Sequence, residues 1–182
     1  MPLVVGVTGH FSTGKDVVAE YLRSKYGYRV LSMYEPLRSV ARKVYTNPTR
    51  SEIYALGKSL SEAFGEDLFI WWCDRSLKGF VGRTVVKDVR FVNECVWLSG
   101  IAKLIIYLES PPELAIEWVK RRGRLGDPRD VDELKRMWLE EGELDSIRRL
   151  PINNLVVVRN DGDFRELYER VDDALKRSVG EG

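Results

Sequence analysis

The sequence predicts an α/β fold of three layers, in which helices cover both faces of a five-stranded parallel sheet. Short apolar runs rich in Val, Ile and Leu alternate with longer segments whose apolar residues recur every three or four positions. The first apolar run leads into a glycine-rich turn and then a helical pattern, the order expected where a crossover helix follows a parallel strand.

Five short apolar runs predict the strands. We expect them at residues 2–8, 29–33, 83–88, 103–108 and 155–159. The carboxyl ends of parallel strands meet at one edge of the sheet, so the loops at that edge are expected to hold any binding site.

The segments between the strands have helical spacing. We expect helices at residues 15–26, 34–45, 50–64, 68–77, 89–98 and 112–120, then an amphipathic helix around Leu134 and a final one from Phe164. Gly27 is placed to end the first helix, and Pro36 lies in a first turn, where proline is tolerated.

Composition narrows the classes of protein. A chain of 182 residues suits one domain with a sizeable core, and a net charge of +1 argues against nucleic acid or an anionic membrane as a partner. The two cysteines lie in apolar helical patterns and are expected to be buried thiols of a cytoplasmic protein. No apolar run is long enough to span a bilayer, and both a monomer and a homodimer remain open.

The stretch after the first strand fits the phosphate-loop pattern G-x-x-x-x-G-K through Gly9, Gly14 and Lys15. Its glycines allow a tight turn in which backbone N–H groups point at a phosphate, and Lys15 is expected to reach the β- and γ-phosphates of ATP. The expected nucleotide contacts are Gly9, His10, Phe11, Ser12, Thr13, Gly14, Lys15, Asp16 and Val17.

One position of the loop departs from the common pattern. The residue after Lys15 is usually Ser or Thr, whose hydroxyl binds Mg²⁺, but here it is Asp16. A carboxylate is also a hard oxygen ligand, so Asp16 is expected to bind Mg²⁺ directly or through water. Asp88 ends the third strand and is the second expected metal ligand, with a cap of the following helix as the alternative.

Charged residues beyond the loop complete the candidate site. Arg38 follows the second strand and Arg90 the third, where a guanidinium could grip an acceptor phosphate, although a surface Arg90 paired with Glu94 is equally compatible with the spacing. Asn160 lies in the turn after the fifth strand, either capping the last helix or touching the adenine.

A basic, glycine-containing segment at residues 120–132 is expected to form a lid over the transferred phosphate. Of its four arginines, Arg122 and Arg124 are our candidates for a catalytic role, with Lys15 and Asp88. A solvated basic turn is the alternative for the others.

The chain resembles the phage-type deoxynucleoside monophosphate kinases. It shares G-x-x-x-x-G-K-D, the segment Glu35-Pro-Leu-Arg38, and above all Asp88-Val-Arg-Phe-Val-Asn-Glu94 after the third strand. The loop is also similar to that of animal phosphomevalonate kinases, and residues 5–9 with the Asn160 turn resemble dephospho-coenzyme A kinase.

This resemblance implies a P-loop NTPase fold like that of nucleoside monophosphate kinases, with an acceptor-binding helical segment at residues 34–78. It implies ATP and Mg²⁺ as cofactors, Lys15 holding ATP, Asp88 positioning metal and acceptor, and Arg38, Arg90, Glu35 and Glu94 serving the acceptor. The chain departs from the family at Val17, which lacks a hydroxyl that could serve the metal or a phosphate, and at Arg38, which keeps the charge of lysine with another geometry. Ala55 replaces a glutamine common in the family, so the base of the acceptor stays open. Two other hypotheses also remain, a kinase of another small phosphorylated metabolite and an ATP-binding module that transfers nothing.

Overall fold

All five strands of the sheet are parallel, in the order β2-β3-β1-β4-β5. The computed structural model describes residues 2–123 and 126–180. Its strands are β1 (Leu3–Gly9), β2 (Arg29–Ser32), β3 (Arg83–Val89), β4 (Ala102–Glu109) and β5 (Leu155–Arg159). The α/β architecture with a five-stranded parallel sheet is therefore confirmed.

Nine helices lie in the described part of the chain. They are α1 (Lys15–Tyr26), α2 (Glu35–Val44), α3 (Arg50–Phe64), α4 (Leu68–Leu77), α5 (Val92–Ile101), α6 (Pro112–Arg122), α7 (Val131–Leu139), α8 (Leu144–Arg148) and α9 (Phe164–Val179). Side chains alternate across the strands, so the sheet separates two cores. On one face the strands pack against α4 and α5, and on the other face they pack against α1 and α9.

A smaller third cluster lies outside the sheet and bears on the site. Phe11 of the phosphate loop packs with Ala115, Ile116 and Val119 of α6 and Leu134 of α7. The phosphate loop is thus in contact with both helices that flank the predicted lid segment.

Two differences from the expected elements matter here. Helix α5 begins at Val92 rather than at residue 89, because Asp88 has a left-handed backbone with φ of +71° and Phe91 is extended. Helix α8 was not expected, since it is only five residues long and its apolar period is too short to detect.

Both cysteines, Cys73 and Cys95, are buried free thiols, as expected. Within the described ranges, no helix combines the length and hydropathy that crossing a bilayer requires.

Candidate functional site

The phosphate loop connects β1 to α1, and two glycines determine its path. Gly9 has φ of +131° and Gly14 has φ of +99°, both in the region that side chains disfavour. A Cβ at Gly9 would collide with the carbonyl oxygen of Leu108, and one at Gly14 would lie 2.6 Å from the amide nitrogen of Asn160. The Leu108 carbonyl and the Asn160 side chain come so close to these two positions that only glycine fits there.

Lys15 lies beneath the loop. Its Nζ donates hydrogen bonds to the carbonyl oxygens of Gly9 and His10, both at 2.6 Å. Burial lowers the pKa of Lys15, while the negative charges of Glu141 and Asp88 oppose that shift. Two carbonyl groups of the loop itself therefore hold the ammonium group in place.

Strand β3 carries an irregularity at the site. Lys87 pairs with Val7 and Val89 pairs with Thr8, so Asp88 is an extra residue in the strand. Its φ of +71° is strained for a non-glycine residue, at a cost of about 1–3 kcal/mol. Consecutive side chains of a regular strand point to opposite faces, but here Lys87 and Asp88 both line the same cleft.

Asp88 is the centre of a charged network. Its Oδ2 accepts hydrogen bonds from Ser32 Oγ at 2.5 Å and Arg38 Nη2 at 3.0 Å, and Lys87 Nζ is 3.5 Å away. Burial alone would raise the pKa of Asp88, but Lys87, Arg38, Ser32 and Lys15 together lower it well below its ordinary value. Asp88 is therefore ionised at neutral pH.

Arg38 of helix α2 belongs to this charged network. Besides Asp88, its guanidinium donates to Ser32 Oγ at 2.5 Å and lies 3.9 Å from Glu35. Glu35 also pairs with Arg42 at 3.1 Å at the edge of the cleft. The structure thus brings Arg38 into the site, and Glu35 lies beside it with a half-exposed carboxylate.

Arg90 faces the cleft, while Glu94 is inside the protein. Arg90 Nη2 is 3.6 Å from Glu141, and its guanidinium lies 5.4 Å from the centre of the Tyr34 ring. Glu94 is 1% exposed and accepts from Tyr34 Oη at 2.7 Å and from the N–H groups of Arg90 and Phe91 at 2.8 and 3.1 Å. This geometry favours a role for Glu94 in positioning Arg90 and Tyr34 over direct contact with a substrate.

The tip of the phosphate loop is hydrogen-bonded to residues that follow the predicted lid in sequence. The Phe11 N–H donates to Glu141 at 2.5 Å, and Trp138 Nε1 donates to the Phe11 carbonyl at 2.9 Å. The His10 ring stacks on Trp138 with 5.1 Å between centroids, and its Nε2 is 3.2 Å from Asp145. The side chain of His10 thus contacts α7 and α8, so any contact with a nucleotide would come from its backbone.

The side chain of Asn160 is hydrogen-bonded to the backbone of the phosphate loop. It is 1% exposed, and its Nδ2 donates to the Thr13 carbonyl at 3.0 Å. Thr13 Oγ1 donates to the carbonyl of His10 at 2.8 Å, and Ser12 Oγ donates to that of Ala115 at 3.2 Å. These bonds fix the shape of the loop, and they favour a supporting role for Asn160 over the predicted contact with adenine.

Of the two lid arginines chosen from the sequence, the structure describes one. Arg122 donates to Asp127 at 2.8 Å, and its guanidinium lies 4.7 Å from the centre of the Phe11 ring. Arg124 lies outside the described residues. Arg121 and Arg129 are exposed, and Arg121 lies 4.0 Å from Glu117 of its own helix.

One open cleft of about 2500 Å³ is lined by Lys15, Asp16, Arg38, Lys87, Asp88 and Arg90, whereas His10 and Trp138 line a separate pocket. A pocket for a single small molecule is usually about 300–1,000 Å³. Its walls come from the phosphate loop, α2, α3, the end of β3, α6 and the segment after α7. The cleft has room for a nucleotide and a second molecule together.

The two expected metal ligands do not form a direct metal site as they stand. Asp16 pairs with Lys87, and the same ammonium lies 3.5 Å from Asp88. Among the described residues, no group of three or more His, Cys, Asp or Glu side chains is arranged to hold a metal ion. Asp16 is thus engaged by an ammonium group, and the roles of Asp16 and Asp88 as metal ligands remain predictions.

Five residues with contacts in the site were not anticipated: Ser32, Tyr34, Lys87, Trp138 and Glu141. Lys87 offered a signal, because a lysine in an otherwise apolar strand directly before an acid is unusual. Glu141 and Trp138 offered none, since they are far from the loop in sequence and come close only in the folded chain.

The chain is similar in sequence to several UPF0200 proteins. It is 27% identical over 178 residues to a UPF0200 protein of Sulfurisphaera tokodaii, with 96% of each chain covered. A UPF0200 protein of Hyperthermus butylicus is 25% identical, with 99% of this chain and 97% of the relative covered. No family profile matches the chain. The UPF0200 name states no activity.

Solved structures show the same fold. The protein TT1252 of Thermus thermophilus superposes with a TM-score of 0.65 at 21% identity, covering 98% of both chains. A gluconokinase of Sinorhizobium meliloti 1021 superposes with a TM-score of 0.61 at 16% sequence identity, and the match covers 97% of this chain and 93% of the gluconokinase. A sugar kinase of Janibacter sp. HTCC2649 superposes with a TM-score of 0.56 at 17% sequence identity, and the match covers 97% of this chain and 95% of the sugar kinase. The fold is thus that of P-loop kinases.

Proposed function

We propose that the protein transfers the γ-phosphoryl group of ATP to a nucleoside or deoxynucleoside monophosphate, giving ADP and a diphosphate. One observation carries the proposal: the phosphate loop with Lys15 shares a cleft with two arginines, Arg38 and Arg90. The loop alone would suffice to bind a donor. A pair of guanidinium groups suits a second phosphate, which they can grip in two-pronged fashion. The kinases with the same fold support phosphoryl transfer as the reaction class.

The state of Asp88 favours a phosphate over a hydroxyl as the acceptor. A hydroxyl acceptor is helped by a base that takes up its proton, and the pKa of an effective base lies near the working pH. Oδ2 of Asp88 is already engaged by the Ser32 hydroxyl and by Arg38, and the cations around this carboxyl lower its pKa. A phosphate acceptor already carries negative oxygens and needs no such base.

In this proposal catalysis is mostly positioning and stabilisation of charge. The loop N–H groups and Lys15 orient the β- and γ-phosphates. Arg38 and Arg90 bring an acceptor oxygen into line with the γ-phosphorus, and Arg122 adds positive charge from the lid side. Mg²⁺, when bound with ATP, would further neutralise the charge of the β- and γ-phosphates.

The donor site alone does not distinguish one phosphorylated acceptor from another. A kinase of another phosphorylated metabolite, such as dephospho-coenzyme A, would use the same donor site. A module that only binds ATP would need neither arginine in the cleft.

The test is ADP production from ATP and Mg²⁺ with a panel of acceptors. The panel holds the ribo- and deoxyribonucleoside monophosphates, dephospho-coenzyme A and a blank without acceptor. We expect the rate to rise well above the blank with a nucleoside monophosphate. A rise with dephospho-coenzyme A alone would move the assignment to that class, and rates equal to the blank throughout would overturn the proposed function.

A further inference from the structure

Lys87 is the least expected residue of the cleft. It lies in β3, which runs between β2 and β1, and only 15% of its side chain is exposed. A charged group in such a place is costly unless it is paired. Its ammonium pairs with Asp16 at the start of α1 and lies 3.5 Å from Oδ2 of Asp88.

This arrangement accounts for two irregularities together. Asp16 stands where most phosphate loops have a hydroxyl, and a hydroxyl could not balance the charge of Lys87. The extra residue in β3 brings Lys87 and Asp88 to one side of the strand, so the ammonium comes between the two carboxylates. Asp16 lies on the surface of α1 with its side chain 81% exposed, and Lys87 reaches it from the sheet.

We propose that Lys87 is a cation built into the phosphate site, which takes the place between Asp16 and Asp88 that a divalent metal ion would otherwise take. The proposal deepens the proposed function, because it concerns the charge balance of the same cleft. Without the ammonium, two carboxylates would face incoming phosphates and repel them. With it, the cleft keeps a positive group that does not depend on metal.

This arrangement affects how the nucleotide-free protein binds divalent ions. In the wild type, Asp16 is engaged by Lys87 and should contribute nothing to divalent binding. Replacing Lys87 with a neutral residue removes the cation between Asp16 and Asp88. Asp16 then loses its ion pair, while Asp88 keeps Arg38 and Ser32 at Oδ2. Carboxylate oxygens bind Mn²⁺ and Mg²⁺.

The experiment is Mn²⁺ titration of the nucleotide-free protein, followed by electron paramagnetic resonance of the free ion. We expect Lys87→Met to bind Mn²⁺ at least about tenfold more tightly than the wild type. Lys87→Arg, which keeps the charge, should behave as the wild type. Lys103→Met is the matched control, since Lys103 is exposed near the start of β4 at the opposite end of the sheet. The double variant Asp16→Asn with Lys87→Met should lose the gain.

Binding by Lys87→Met no tighter than by Lys103→Met would overturn the proposal, and so would an equal gain in Lys87→Arg. Lys87→Gln gives a second neutral side chain if methionine disturbs β3, with circular dichroism reporting the fold. One comparison avoids Lys87 altogether: Asp16→Asn alone should leave Mn²⁺ binding unchanged, and a loss of binding would identify Asp16 as a metal ligand and contradict us. None of these readouts needs an acceptor, so they are independent of whether any acceptor is phosphorylated.

Discussion

The backbone N–H of Phe11 donates a hydrogen bond of 2.5 Å to the carboxylate of Glu141, across 130 positions of sequence. The other oxygen of Glu141 lies 3.6 Å from Arg90. A single, largely buried carboxylate therefore connects the phosphate loop, which would hold the donor, to an arginine proposed to hold the acceptor. This connection gives the first of four predictions.

Glu141→Ala should lower the free energy of unfolding by about 1–3 kcal/mol, because it leaves the Phe11 N–H without its acceptor and Arg90 without its counter-charge. Glu141→Gln should recover much of the loss, since an amide oxygen can still accept from Phe11. Urea unfolding measures both. Glu140→Ala is the control, as Glu140 is exposed. If the Ala and Gln variants lose equal amounts of unfolding free energy, the hydrogen bond between Phe11 and Glu141 does not stabilise the fold.

Lys15→Ala should lower the rate of ADP formation by about a hundredfold or more, since it removes positive charge beside the transferred phosphoryl group. Its hydrogen-bond acceptors are two carbonyls of the loop, and burial disfavours its charged form, so thermal unfolding should change little. Lys103→Ala is the control for charge. Retained transfer in Lys15→Ala would rule out the assigned role of the loop.

Arg38→Lys should raise the KM for the acceptor by about tenfold, because lysine cannot hold Ser32, Asp88 and a phosphate in the fork geometry of arginine. The KM for ATP should be nearly unchanged, and this split separates acceptor binding from general damage. Arg42→Lys is the matched control on the same helix, with a side chain 60% exposed. A larger rise in the KM for ATP than for the acceptor would place Arg38 on the donor side.

Asp88 should make stability depend on pH in acid. Its pKa in the folded protein is below that of an unfolded aspartate, about 3.9, so the charged network stabilises fully above that value. The contribution is lost as the pH falls toward the folded pKa. The wild type should therefore exceed Asp88→Asn in unfolding free energy by more at pH 7 than at pH 3. An advantage that stays the same at both pH values would contradict the ionised state of Asp88.

Local patterns sufficed to predict much of the fold. Strand and helix periods, the glycines of the loop and the proline in α2 are properties of neighbouring residues, and all five strands appear where apolar runs predicted them. The start of α5 was misplaced because the extra residue at Asp88 breaks the period only once β3 pairs with β1. The roles assigned to the site residues remain predictions.

What the sequence determined by itself was the phosphate loop and the edge of the sheet where charged residues gather, because both follow from spacing along the chain. What only the tertiary structure decided was the set of partners at that edge. Asp16, predicted as a metal ligand, pairs with Lys87 in the folded chain, and Glu94, predicted to serve the acceptor, is buried and accepts a hydrogen bond from Tyr34. Charges act through space rather than along the chain, so the balance among Lys15, Asp16, Lys87, Asp88 and Glu141 exists only once the strands and helices have been assembled.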